Sequence, residues 1–169
     1  LYAGEVNLKM SIKELFKGEG EAMNIEGFSS KDGVVNIIFN KDGIGNFDIA
    51  LKDQQPETAS ESKPFAMNIQ KYSVENLRFR YIDEKSKIRM VIDSLNHEGT
   101  GNFAAEKLDL KTTSAAKLSL DMDKMNYMKN VALSLDAVLG IDLKNQKYEF
   151  KDNKALINQL PLEFTGFIQ

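Results

Sequence analysis

Apolar residues in this chain recur at every second position, and that period decides what it can fold into before any other feature is weighed. Val6, Leu8 and Met10 alternate with Asn7 and Lys9, and Val35, Ile37 and Phe39 with Asn36 and Ile38. The same beat returns in Phe47, Ile49, Leu51; Leu77, Phe79, Tyr81; Leu108, Leu110, Thr112; Leu118, Leu120, Met122; Val131, Leu133, Leu135; and Leu139, Ile141, Leu143. A strand sends successive side chains to opposite faces, so each run lays one apolar row on one face of a sheet and mostly polar residues on the other.

Turn-forming residues separate the runs: Lys31-Asp32-Gly33, Lys41-Asp42-Gly43, Asp83 to Ser86, Lys144-Asn145-Gln146 and Lys151-Asp152-Asn153. Asp-Gly pairs and Asn supply the left-handed backbone that tight hairpins need. Short strands joined by short turns predict an antiparallel meander. One helix breaks the pattern. Ser11 with Glu14 three positions on reads as a capping box, Ile12, Leu15 and Phe16 make an apolar face, and Gly18 ends it. A helix of residues 11–17 is too short to stand alone and is expected to pack on the sheet.

The stretch from Asp53 to Pro64 holds small and polar residues with two prolines and little to bury, and reads as a mobile loop. The expected division is a first β unit at 1–53, a linker at 54–64 and a second β unit at 65–169 continuing the same sheet. Both units carry a Gly-x-Gly-Asn-Phe string, at Gly43 to Phe47 and Gly99 to Phe103, too short to establish a duplication. The chain opens Leu-Tyr-Ala-Gly without Met and ends inside an apolar alternation, so it is expected to be part of a longer polypeptide.

Several chemistries find no footing. There is no cysteine, so neither disulfides nor thiolate metal sites can form. The net charge is −3, and Lys71, Arg78 and Arg80 stand apart among apolar and acidic neighbours, so no nucleic-acid surface is expected. Gly99-Thr100-Gly101-Asn102-Phe103-Ala104 fits a dinucleotide fingerprint in letters, but a strand-period run follows where a helix is required; a glycine-demanding turn or bulge accounts for it better. Asp121, Asp123 and Asn126 lack the glycine and closing glutamate of a calcium loop. His97 is the lone histidine, with no partner spacing for a metal or a nucleophile, and reads as structural at a strand-to-turn junction. No general acid–base pair stands out, so the expectation is a non-enzyme with no cofactor and no metal.

What remains is the apolar face. Leu118, Leu120, Val131, Leu133, Leu135, Tyr148, Phe150, Leu162 and Phe164 alternate with Lys117, Ser119, Ser134, Asp136, Glu149 and Glu163, so they are expected on one side of the sheet. The residues alone favour a closed sandwich or barrel core for them, with a lipid-accessible trough as the other reading.

Longer strings carry a resemblance. Val6 to Gly18, with its strand and short Leu-Phe-Lys-Gly helix, followed by Ile25-Glu26-Gly27 and Val34 to Phe39, is similar to the start of the AsmA family pattern. Lys41 to Ile49 resembles that pattern's ending, with Phe47 where tryptophan is usual. Tyr81-Ile82-Asp83, Leu95 to Phe103 and Leu160 to Gly166 resemble longer AsmA-like proteins of Bacteroidetes-type bacteria, relatives of TamB-like envelope proteins.

The resemblance implies a curved, mainly β sheet, a β-groove or open half-barrel, with a short helix near its start. It implies a periplasmic location, anchorage in the inner membrane by a segment outside this chain, and a part in outer-membrane biogenesis. The implied partners are phospholipid acyl chains, envelope proteins and adjoining segments of the same longer chain. A scaffold or chaperone-like module and a closed barrel for a small apolar ligand are the rival readings.

Overall fold

The computed structural model describes residues 1–18, 21, 23–47, 67–102, 105–142 and 144–169. The mobile loop expected at Asp53 to Pro64 lies outside the described residues. The chain is mainly β. A nine-stranded sheet is built from β1 (Glu5–Lys9), β3 (Gly27–Lys31), β4 (Val34–Phe39), β6 (Lys71–Asp83), β7 (Ile88–Thr100), β8 (Lys107–Met122), β9 (Met125–Asp142), β10 (Lys147–Ile157) and β11 (Leu160–Ile168). Its order is β1-β3-β6-β7-β8-β9-β10-β11, with β4 also on β6, and it stays open at both ends. β2 (Met23–Ile25) and β5 (Met67–Ile69) pair parallel as a separate ribbon. A closed barrel is therefore excluded.

From β6 to β11 every neighbour is antiparallel, as short connections dictate. The N-terminal strands join differently. β3 and β4 both pair parallel to β6, Phe28 opposite Tyr72 and Phe39 opposite Asp83. The offset of 44 residues is the same at both ends, so β3 and β4 are one strand interrupted at Asp32-Gly33. That dipeptide, expected to reverse the chain, instead bulges it. Asp32 takes φ 52°, its N–H donates to the Glu75 carbonyl at 3.0 Å, and Gly33 accepts from Arg78 N–H at 2.8 Å.

Asp32 is one of a row of left-handed residues crossing the sheet. Asn76 in β6, Ser94 in β7 and Asn130 in β9 sit inside strands at φ 52°, 52° and 51°. The pairing register slips beside each of them. The bulges are tied across strands. Asn76 donates its side-chain amide to Asp32 at 2.7 Å and its backbone N–H to Asn96 Oδ1 at 3.1 Å, while the Asn130 N–H donates to Ser119 Oγ at 3.0 Å. A bulge bends its strand and adds twist, so a row of them bends a sheet along one line.

The polar face is laced by cross-strand ion pairs, Lys31 to Glu75, Arg78 to Asp93 and Lys107 to Asp142 among them. The Lys107 ammonium, with the Asn145 amide and backbone N–H, holds the Asp142 carboxyl down at about 2. Lys151, the extra residue of the β10 bulge, reaches Asp109 two strands away at 2.6 Å. It passes over Gly140, where a Cβ would lie 2.8 Å from its chain, so the glycine that interrupts the Val131 to Leu143 run makes room for that bridge.

The short helix is corrected in three respects. It is a 3-10 helix, Ile12–Phe16, capped by Ser11 Oγ accepting from Lys13 N–H. Glu14 does not close a capping box but accepts from the Asn24 N–H at 2.7 Å and pairs with Lys17 at 2.6 Å, pinning the turn beside β2. Nor does its apolar face pack on the sheet: Ile12 and Leu15 are exposed and Phe16 is 82% exposed.

The left-handed bulges make a sharp prediction. Asn130→Gly should leave the urea midpoint unchanged or slightly raised, whereas Asn130→Val should cost about 1–2 kcal/mol, because a β-branched side chain clashes in that backbone region.

Candidate functional site

The register puts all nine predicted residues on one face. Leu118 lies opposite Val131, Leu133 opposite Ile157, and Leu135 opposite Ala155, which in turn faces Leu162. Leu120 continues the β8 row, while Tyr148 and Phe150 face Ile141 and Leu139. Phe164 faces Asn153, and its ring lies 5.9 Å from that of Phe150.

The same face extends further than the sequence pattern suggested. Ile88, Met90 and Ile92 of β7 face Met122, Leu120 and Leu118. Phe79 and Tyr81 of β6 follow, then Val35 and Ile37 of β4. The signal for this continuity was present but broken: each left-handed bulge shifts the apolar positions by one, from Val74 to Leu77 across Asn76 and from Ile92 to Leu95 across Ser94.

No second layer covers this face among the described residues. The buried apolar side chains there and elsewhere are Ile25, Val91, Leu108, Leu110 and Ala137, while Tyr148 and Leu162 remain exposed. Small residues report its shape. Ala137 and Thr112 on the apolar face are 5% and 8% accessible, whereas Ala115 and Ala132 on the polar face are exposed. Side chains converge over the apolar side, as on the inside of a bend. No Lys or Arg from the paired rows lies on that side; the cations at the bulges, Lys129 and Lys151, turn to the polar one.

Polar groups on the apolar face are few and gathered. His97 is not at a strand-to-turn junction, as expected, but within β7, three residues before its end, paired between Val74 of β6 and Ser114 of β8. Its Nε2 lies 2.8 Å from Tyr72 Oη and its Nδ1 2.8 Å from Ser114 Oγ. Burial holds the imidazole below the ordinary histidine range and pushes the Tyr72 phenol up, so both are neutral near pH 7. The Tyr72 ring lies over Gly99, where a Cβ would sit 2.5 Å from it. Close approach of this ring, and not a phosphate, explains the glycine.

Asn153 is the second polar feature. At 1% accessibility it is the most enclosed polar residue described. Its amide donates to the Phe164 carbonyl at 3.2 Å, but its Oδ1 has no hydrogen-bond partner. An enclosed acceptor left unmatched costs roughly 1–3 kcal/mol.

Elsewhere, Asp123 pairs with Lys87 at 2.7 Å and Asp121 accepts from Asn126, which gives the supposed calcium carboxylates ordinary turn roles. Among the described residues no group of three or more His, Asp or Glu could hold a metal, and no helix is long and apolar enough to cross a membrane.

The histidine predicts a pH effect with a definite sign. Its folded pKa lies below the unfolded value of about 6.5, so as pH falls past that value the unfolded state takes the proton more readily and stability drops. Between about pH 7.5 and about pH 5, thermal melting of the native chain should fall further than that of His97→Gln, which hydrogen-bonds without titrating.

Set against known proteins, the chain matches no family model, no curated protein and no solved structure.

Proposed function

We propose that this chain is a non-enzymatic segment of a membrane-anchored, AsmA-like periplasmic protein, and that its apolar sheet face carries phospholipid acyl chains during outer-membrane biogenesis. One observation carries the reading: Leu118, Val131, Leu133, Leu135 and their neighbours form a continuous apolar face on a one-layer open sheet with no covering layer among the described residues. An acyl chain in water loses about 0.8 kcal/mol for each exposed CH₂, and such a face recovers it without polar contacts to the tail. The dimensions suit the task. β8 and β9 span 16 and 18 residues, about 50–60 Å, while an acyl chain spans half of a hydrocarbon core about 30 Å thick. The sequence strings of the AsmA type support the envelope location.

A scaffold role is favoured by a different observation, the outer edge of β11, which no described strand pairs. A partner strand could add there through main-chain hydrogen bonds, guiding outer-membrane protein assembly.

Native mass spectrometry after bacterial expression should find co-purified phospholipid. Leu133→Lys then discriminates. In a sealed core a lysine would cost several kcal/mol and unfold the domain. On an open face the ammonium snorkels to water, so folding is kept and bound lipid falls severalfold. A folded Leu133→Lys chain with undiminished lipid would defeat the proposal.

A further inference from the structure

The chain carries 22 basic side chains, and only three of them, Arg78, Arg80 and Arg89, are arginines. All three stand together. Arg78 and Arg80 are two positions apart on β6, and Arg80 faces Val91, two positions from Arg89 on β7, so the three share the polar face of the sheet. Arg78 and Arg89, with Lys129 from the β9 bulge, line a hollow of about 670 Å³ on that face. Val91, which also lines it, is enclosed although it stands on the polar side.

The charges there are only partly matched. Arg78 pairs with Asp93 at 3.0 Å. Asp121 lies opposite Arg89 in register, yet its carboxylate accepts from the Asn126 amide at 2.5 Å. Among the described residues Arg80, Arg89 and Lys129 have no ion-pair partner, and the enclosed Nε of Arg80 has no acceptor. Against these three cations stands one carboxylate not already ion-paired, Asp121. Arg89 and Lys129 flank β8 from β7 and β9, and Ser119 lies between them on β8. Ser119 Oγ accepts from the Asn130 N–H at 3.0 Å, which leaves its hydroxyl hydrogen to donate.

A lysine keeps a polar face wet wherever it stands. An arginine adds a planar fork of donors that matches oxyanions, and its charge does not titrate. A guanidinium, an ammonium and a hydroxyl around one open hollow suit a tetrahedral oxyanion, whose several oxygens can engage all three. A long polyanion is disfavoured by Asp93 and Asp121 in the walls and by the net charge of −3. We propose that the hollow at Arg89 and Lys129 binds a single phosphate group, presented by a lipid headgroup or by a small soluble phosphate ester. The site lies on the side of the sheet away from Phe79 and Ile92, so it is independent of the acyl-chain reading.

The test follows backbone amide resonances of the folded chain at constant ionic strength and about pH 7.5, where a phosphate monoester is mostly dianionic. The soluble probes are inorganic phosphate and glycerol phosphate; flotation with phosphatidylcholine vesicles, with and without phosphatidic acid, supplies the lipid arm. Arg89→Gln and Lys129→Gln should each weaken binding about threefold to tenfold. Lys154→Gln, which removes the same charge elsewhere on the polar face, should leave it unchanged. Arg89→Lys should recover only part of the loss, because a point charge does not reproduce the fork. Vesicle binding that needs phosphatidic acid and is lost in Arg89→Gln identifies a lipid headgroup as the source of the phosphate. Saturable binding of the soluble probes without vesicle binding identifies a soluble ester. The site is overturned by no binding in either arm, by binding that survives both Arg89→Gln and Lys129→Gln, by an equal loss in Lys154→Gln, or by binding to polyphosphate alone. Circular dichroism on each variant separates a binding loss from unfolding. No variant lies on the apolar face, so none of these outcomes bears on the acyl-chain reading.

Discussion

Everything in this structure follows from a sheet that, among the described residues, has only one layer. A sheet with one apolar face normally buries it against a second sheet or a helix, and the hydrophobic gain of that burial offsets the entropy of ordering the chain. Here the 3-10 helix stands aside with Phe16 turned outward, and the β2–β5 ribbon is only three residues wide on each strand. What holds the sheet is therefore mostly in-plane: long antiparallel ladders, cross-strand apolar neighbours and polar-face ion pairs. Exposed ion pairs contribute little singly, but they keep the outer side wet and discourage the sheet from stacking on another copy through that side.

The bulge row gives the single layer its shape. Asn76, Ser94 and Asn130 each add an extra residue to one strand of a pair, and Asp32 faces Asn76 across a register that stays constant. An isolated bulge would only twist one strand. A row of them, tied together by Asn76 to Asp32 and Asn130 to Ser119, bends neighbouring strands together. Among the described residues no second layer lies over the apolar face, yet Thr112 and Ala137 on it are nearly inaccessible. Partial burial inside the bend thus replaces part of the missing second layer.

Period two made the strands from β6 to β11, and the face shared by Leu118, Leu133 and Phe164, legible in the sequence. A period of two constrains faces so tightly that a one-residue error would invert a strand. The bulges limited that reading, because Asn76 and Ser94 look like ordinary polar residues until register shows the inversion. Asp32-Gly33 misled for a related reason: a left-handed residue before glycine serves a hairpin or a bulge equally well, and only the pairing partner decides. The parallel docking of β3 and β4 on β6 was invisible, since local pattern carries no information about which distant strand lies alongside. His97 was placed wrongly because the glycines after it suggested a turn, whereas Gly99 continues β7 beneath the Tyr72 ring.

The depth of the face also bears on what it could do with a lipid. A deep pocket would enclose a tail, bind it tightly and release it slowly. The face described by Leu118, Val131, Leu133 and Leu135 is only partly exposed, and a tail lying on it would bury one side and keep the other in water or against adjoining structure. Such contact is weak per CH₂, and along β8 it changes in the middle of the row, where Thr112, Ser114 and Ala116 stand between Leu110 and Leu118.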